Sequence, residues 1–339
     1  MNSLERVLAA LGGEPVDHPA YTLMLSLYGA RLTGASLGDY YTEPQAYVEG
    51  QCAVREAFAP DLLFSPFALA GVGGIFGGTL KHHPTQAPTL AVPPYATAAE
   101  ALSRWCPEPE AHPGLRYFSE STRLLAQRYA GEVPVVGVLL SPVDLPVVLL
   151  GVEGWLETIL AEPEAARALL AKGSAFCQAW GRQLLASGAT VLGFTANFCN
   201  PSILPERIIS GLTLPELKAW CGAIPGPMVF HHGGCRLAPH LGLMGGLPQV
   251  VAYVLDPRDD LREARQRLGP AALLLGGLDG PGLETLTPEA AAARCDQVLA
   301  GRGADPRFIL ASGCADVPLA TPPAVVAAVG QACLLGTAP

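Results

Sequence analysis

Eight short apolar runs, most of them followed by a helical pattern, constrain the fold of this chain more than any other feature. In most runs the apolar residues are nearly continuous rather than alternating, as expected for parallel strands that are buried on both faces. Eight parallel strands alternating with helices predict a closed (β/α)8 barrel. The runs are 19–25, 61–67, 133–140, 190–196, 227–232, 250–255, 272–278 and 307–312.

The segments between the later runs have helical signatures. The longest is rich in alanine and ends at a glycine, and several others begin with Thr, Asp or Pro. We predict helices over 163–188, 214–222, 259–269, 287–301 and 322–335. A further helical pattern precedes the first run, and 68–132 is longer than a barrel connection. The chain is therefore interpreted as one barrel domain over 1–339, with an N-terminal helical extension and an insertion at about 68–132.

A doubly wound open sheet is the alternative fold. It is disfavoured because no phosphate-binding loop of the G-x-G-x-x-G or G-x-x-x-x-G-K type opens a helix. The glycine-rich stretch 70–78 does not lead into a convincing helical pattern, and we interpret it as a loop at the barrel mouth.

Composition excludes several classes of protein. The formal charge of −9 argues against general binding to nucleic acid or to anionic membranes. The most apolar stretch, 133–156, contains Pro142, Asp144 and Pro146, whereas a membrane span needs about 20 predominantly apolar residues. No secretory signal is visible at the N-terminus. The nine cysteines are odd in number, widely spaced and without a CxxC pair, which predicts free thiols and a cytoplasmic location.

Polar side chains follow most of the later strands, where a barrel of this kind carries its chemistry. These candidates are Ser141 and Asp144 after the third run, Asn197, Cys199 and Asn200 after the fourth, His231, His232 and Cys235 after the fifth, Asp256 after the sixth, Asp279 after the seventh and Cys314 after the eighth.

The sharpest hypothesis from these residues is a zinc site. One of the adjacent histidines, together with Cys235 and Cys314, would give zinc three protein ligands and leave a fourth position for a substrate thiol. The competing interpretations are ordinary ones. A cysteine after a strand is usually packed, paired loop histidines are often solvated, and Asp256 and Asp279 could be helix N-caps.

Three stretches, 4–20, 250–280 and 309–329, resemble the uroporphyrinogen decarboxylase superfamily, and within it the cobamide-dependent methyltransferases. The resemblance implies the same barrel, and a zinc ion held by a His-x-Cys pair and a late cysteine. It also implies a thiol acceptor that takes a methyl group from a corrinoid carried on a partner protein. Carried over by position, the family histidine is His231 and the late cysteine is Cys314.

The chain departs from the family pattern at the middle ligand. Gly233 stands where the family has its cysteine, and Cys235 lies two positions later. We predict that Cys235 takes over, aided by the flexible Gly-Gly turn; the alternatives are that His232 substitutes or that zinc has been lost. Asn197 also stands where the family often has Asp. Family members that methylate a pterin hold its ring with carboxylates and amides, a role open here to Asn197, Asp256 and Asp279.

The predicted function is corrinoid-dependent methyl transfer between a cobamide and a zinc-activated thiol or similar small acceptor. The cobamide would be free or on a separate corrinoid protein, because no D-x-H-x-x-G corrinoid-binding signature is present. The sequence leaves open whether the protein forms a homodimer. The predicted roles are metal binding for His231, Cys235 and Cys314, catalysis for Asp256, Asp279 and Asn197, and cofactor binding for Ser141, Asn200 and His232.

Three other functions remain as alternatives. The first is metal-free methyl transfer to a tetrahydrofolate-like pterin, and the second is a tetrapyrrole- or corrinoid-binding protein without catalysis. The third is decarboxylation of a uroporphyrinogen-type tetrapyrrole. It is disfavoured because Arg31 stands alone where the decarboxylase has several arginines for its substrate's carboxylates.

Overall fold

The computed structural model of the chain describes residues 1–105 and 112–335, so Cys106 and part of the predicted insertion lie outside the described residues. Its strands are β1 (Tyr21–Thr22), β2 (Leu63–Phe64), β3 (Thr79–Lys81), β4 (Thr89–Val92), β5 (Val135–Val138), β6 (Val191–Thr195), β7 (Met228–His231), β8 (Val250–Leu255), β9 (Leu273–Asp279) and β10 (Phe308–Gly313).

The helices are α1 (Ser3–Gly12), α2 (Tyr28–Thr33), α3 (Leu37–Tyr40), α4 (Pro44–Phe58), α5 (Ala70–Ile75), α6 (Ala98–Ser103), α7 (Pro113–Arg128), α8 (Leu145–Ala161), α9 (Pro163–Ala186), α10 (Glu206–Ile208), α11 (Leu214–Ala223), α12 (Leu241–Met244), α13 (Leu261–Leu268), α14 (Pro288–Arg302) and α15 (Pro323–Leu335). A π-helical turn, Ile209–Thr213, joins α10 to α11. Within the described parts of the chain, no helix combines the length and the apolar character that crossing a bilayer requires.

Eight strands form one parallel sheet that is nearly closed. Its order is β1-β10-β9-β8-β7-β6-β5-β2, which is the order of the chain around a barrel. The seam between β1 and β2 is bridged by the N–H of Asp61, which donates to the carbonyl of Tyr21 at 2.8 Å. All eight predicted strands are confirmed, and the open doubly wound sheet is excluded because the strand order never reverses.

The five predicted helices are also confirmed, and they correspond to α9, α11, α13, α14 and α15; the short helices α10 and α12 were not predicted. The interpretation of 70–78 as a loop is wrong, because Ala70–Ile75 is a short helix. Its glycines serve close packing. A Cβ on Gly73 would lie 2.8 Å from both Leu90 Cδ1 and the carbonyl of Val148. Glycine lowers helix propensity, so the packing requirement hides this helix from a reading of the sequence.

The N-terminal helix α1 begins at a capping box, in which Asn2 accepts from the N–H of Glu5 and Glu5 accepts from the N–H of Asn2. Arg6 extends from this helix to the buried carboxylate of Asp61, 2.6 Å away, at the start of β2. This contact fastens α1 across the N-terminal end of the barrel, so the polar strand ends lie at the opposite end.

Candidate functional site

The carboxyl ends of three strands bring His232, Asp256 and Cys314 together. One potential ligand atom from each side chain lies within 4.8 Å of the others. His232 and Asp256 are buried, and Cys314 is half-buried. His232 follows β7, Asp256 follows β8 and Cys314 follows β10, so the group forms only when the barrel closes. We call it the His–Asp–Cys group.

The backbone at the end of β10 approaches the His232 ring closely. The N–H of Cys314 donates to His232 Nε2 at 3.1 Å, and a Cβ on Gly313 would lie 2.8 Å from the same nitrogen. Cys314 has a positive φ of 72°, which L-residues seldom adopt and which is often found at functional sites. The other ring nitrogen, Nδ1, lies 3.1 Å from the carbonyl of Cys235 and 3.4 Å from Asp256 Oδ2.

Asp256 is held by Arg258, a residue that the sequence reading missed. The Arg258 Nε and Nη2 atoms donate to the two carboxylate oxygens at 2.6 and 2.8 Å, and the backbone N–H of Arg258 adds a third bond of 2.9 Å. Burial acts to raise the pKa of Asp256, but the bonds from Arg258 outweigh it and lower that pKa below its usual value. The carboxylate is therefore ionised and oriented.

The other two members of the group stay uncharged, because burial outweighs the other influences on them. Burial raises the pKa of the Cys314 thiol to about 11, and the charges of Asp256 and Asp279 act in the same direction. Burial also lowers the pKa of His232, which keeps the imidazole neutral and able to bind a metal. Cys314 thus becomes a thiolate at neutral pH only if a cation approaches it.

His231 faces a different space from His232. Its ring stacks on that of His232, with the centroids 4.5 Å apart, and it lines the interior of the barrel. Nδ1 accepts from the N–H of Gly233 at 3.0 Å, whereas Nε2 is buried and has no partner among the described residues. Burial, followed by the proximity of His232, lowers the pKa of His231 to about 3.

Asn197 occupies the space that a side chain at position 233 would need. A Cβ on Gly233 would lie 2.1 Å from Asn197 Oδ1, and Gly233 has a positive φ of 67°. Asn197 is fixed by the buried Asp144, which accepts from Asn197 Nδ2 at 3.1 Å and from its backbone N–H at 3.0 Å. Gly233 and Asn197 are therefore compatible with each other, whereas a cysteine at position 233, which the family resemblance would lead one to expect, does not fit beside Asn197.

The remaining candidates are dispersed. The Cys235 thiol is not part of the His–Asp–Cys group, and Asp279 is exposed at the end of β9. The Ser141 hydroxyl is buried without a partner in the described part of the chain, and Asn200 closes a turn by accepting from the N–H of Ser202. The N-cap alternative for the two aspartates is wrong: Asp260 caps α13 and Thr287 caps α14.

The family model described as "Uroporphyrinogen decarboxylase (URO-D)" matches residues 2–334 of this sequence. The chain belongs to the uroporphyrinogen decarboxylase family. The chain is similar to the methylcobamide:CoM methyltransferase MtaA of Methanosarcina barkeri over 328 residues, at 21% identity. The similarity covers 93% of this chain and 92% of that relative.

Two further comparisons involve methyltransferases of Methanosarcina mazei. The methylated-thiol–coenzyme M methyltransferase of Methanosarcina mazei is 26% identical over 157 residues, which cover 46% of the chain and 41% of that protein. A solved methyltransferase from Methanosarcina mazei superposes with a TM-score of 0.84 at 19% identity and covers 98% of both chains. This superposition establishes the barrel fold.

The His–Asp–Cys group fits the zinc ion that the family resemblance implies. Imidazole, carboxylate and thiolate are all ligands that zinc takes in proteins, and three of them leave a fourth position for a substrate. The fit differs from the prediction in its histidine and in its third donor, because His232 and Asp256 accompany Cys314 in the structure. Either histidine would exchange a backbone hydrogen bond for the metal, because the N–H of Gly233 donates to His231 Nδ1 and the N–H of Cys314 donates to His232 Nε2.

Proposed function

We propose that this chain is a corrinoid-dependent methyltransferase that moves a methyl group between a cobamide and a small thiol or similar acceptor. Membership of the URO-D family and similarity along the chain to a named methylcobamide:CoM methyltransferase support the reaction class. The observation that carries the proposal is the convergence of His232, Asp256 and Cys314 at the barrel mouth, where barrels of this kind carry out their chemistry.

In this proposal the His–Asp–Cys group holds zinc. The bound ion would supply Lewis acidity that lowers the pKa of an acceptor thiol, so that the acceptor reacts as a thiolate. Cys314 would bind through its sulfur, and loss of its proton would be coupled to metal binding because burial otherwise keeps it protonated. Asp256 would bind through a carboxylate that Arg258 orients, and His232 would contribute a neutral imidazole.

Other side chains at the mouth position the substrates. Asn197, held by Asp144, and the exposed Asp279 are proposed to orient the acceptor, and Ser141 and Asn200 to contact the cofactor side of the site. The cobamide is proposed to arrive free or on a separate corrinoid protein. We also propose a cytoplasmic location, because the cysteines in the described residues are unpaired.

Metal analysis of the purified protein and of single variants tests the ligand assignment. We expect one zinc per chain in the wild type and loss of zinc in Cys314→Ala, His232→Ala and Asp256→Asn. The matched control is Cys52→Ala, a partly buried cysteine on α4 that is not in the group, and it should retain zinc.

Cys235→Ala separates the two ligand sets. If zinc is retained in this variant, the third donor is Asp256. If zinc is lost in Cys235→Ala and His231→Ala but kept in His232→Ala and Asp256→Asn, the set predicted from the sequence is correct and the His–Asp–Cys assignment is wrong. A wild-type protein that binds no zinc contradicts the metal step altogether.

A further inference from the structure

The interior of the barrel contains an apolar cavity of about 170 Å³. Barrels of this class normally fill their interior with layers of side chains. Here the cavity runs from α1, where Leu4, Val7 and Leu11 close it, to the mouth, where His231 and Ser312 border it. We call this cavity the lumen.

Small inward-facing residues account for the lumen. Ala252 on β8 and Ala311 on β10 lie in the inner apolar cluster, at positions where a larger side chain would reach the barrel axis. Their neighbours along each strand, such as Tyr253 and Leu310, face outward into the main core. Val191 and Val229 remain only half-buried although they line the interior. The strand pattern therefore leaves space at the centre.

At its mouth end the lumen is lined by Thr195, His231 and Ser312, and His231 has a ring nitrogen without a partner among the described residues. Because the N–H of Gly233 donates to His231 Nδ1, the proton of the neutral imidazole lies on Nε2. This N–H is buried and has no acceptor among the residues that the structure describes. Buried donors of this kind are almost always paired, so an acceptor atom is expected beside it.

The His231 ring also stacks on His232, a member of the His–Asp–Cys group. A ligand atom beside His231 Nε2 is therefore close to that group, and the rest of the same ligand can extend into the lumen. An apolar cavity of about 150 Å³ accepts a benzene molecule, which sets the size of what the lumen can hold.

We propose that the lumen binds the uncharged, apolar substituent of the acceptor, a short alkyl chain or a single aromatic ring, while the acceptor's sulfur lies between His231 Nε2 and the His–Asp–Cys group. The assignment of the occupant as an acceptor rests on the proposed function. A charged substituent is excluded because the apolar walls offer it no partner. Within the family, this lumen would select hydrophobic thiols over anionic ones.

Binding of toluene to the purified protein, followed by NMR titration, tests the lumen without any methyl transfer. We expect saturable binding to the wild type and at least about tenfold weaker binding to Ala311→Leu, which adds its side chain inside the cavity. Ala293→Leu adds the same atoms on the exposed face of α14 and should bind as the wild type does. Ala252→Val is a smaller addition that serves if Ala311→Leu does not fold.

Absence of toluene binding to the wild type, or equal binding to the folded lumen variants, overturns the proposal. The acceptor arm compares phenylmethanethiol with 2-mercaptoethanesulfonate as methyl acceptors. Preference for phenylmethanethiol, lost in Ala311→Leu, supports the proposal, and preference for the sulfonate contradicts it. If toluene binds but neither thiol is methylated, the lumen is an apolar binding site and the proposed methyl transfer is wrong. Failure of the proposed function is thereby distinguished from failure of the lumen proposal.

Discussion

Replacing Asp144 by alanine tests whether this buried carboxylate holds the loop that follows β6 in place. The carboxylate is 4% exposed and accepts from Thr195 Oγ1 at 2.7 Å, from the backbone N–H and Nδ2 of Asn197, and from the N–H of Phe198 at 3.2 Å. Its removal leaves these donors at the end of β6 without their acceptor. Each unsatisfied buried group costs about 1–3 kcal/mol; partial hydration lowers the sum, and so does removal of a carboxylate whose pKa burial raises, so we expect a loss of about 3–5 kcal/mol.

Denaturant unfolding of the two proteins measures this loss as a shift in midpoint at constant m-value. Thr195→Ala removes one donor and should cost only about 1 kcal/mol. In the double variant the two effects should not add, because both remove the same bond. A loss below about 1 kcal/mol for Asp144→Ala, or full additivity, would refute the view that this carboxylate organises the loop that holds Asn197.

Three further predictions follow from burial at the mouth and in the lumen. The folded-state pKa of His231 is about 3, below the value of about 6.5 in the unfolded chain, so its contribution to stability is present above pH 6.5 and is lost as pH falls. Unfolding of chelator-treated protein should therefore lose about 2–3 kcal/mol between pH 6.5 and 4.5, and less in His231→Phe; equal pH slopes would contradict this. Because the pKa of Cys314 is about 11, alkylation of its thiol in chelator-treated protein should keep accelerating above pH 9. Cys314→Ala is the control, and a plateau in the alkylation rate near pH 8.5 would contradict the prediction. Ala311→Val should raise the free energy of unfolding by about 1 kcal/mol, because it places two carbons in the lumen, and destabilisation would contradict the assignment of free space there.

The barrel was predictable because local hydrophobic periodicity marks its strands and helices. Continuous apolar runs mark the strands even where the ladder is as short as β1 and β2, and the helices after β5 carry Pro, Thr or Asp near their first turn. Helix α5 was not predicted, because its glycines allow close contact with Leu90 and Val148 but lower its helix propensity.

The site was predictable only to the level of strand ends. Which histidine faces which partner depends on the alternation along β7, where Val229 and His231 point inward. That alternation was present in the sequence and could have separated His231 from His232. The contact between His232 and Cys314 spans 82 positions and depends on barrel closure and on a positive φ at Cys314. No local pattern encodes it.

Methyl transfer from methylcobalamin to a small thiol, followed by appearance of the methyl thioether, tests the central proposal most directly. The account predicts thioether formation that depends on the protein and falls by about 100-fold or more in Cys314→Ala, while Cys52→Ala retains activity. No transfer from any methylated corrinoid to any thiol, or equal rates for the wild type and Cys314→Ala, would contradict it.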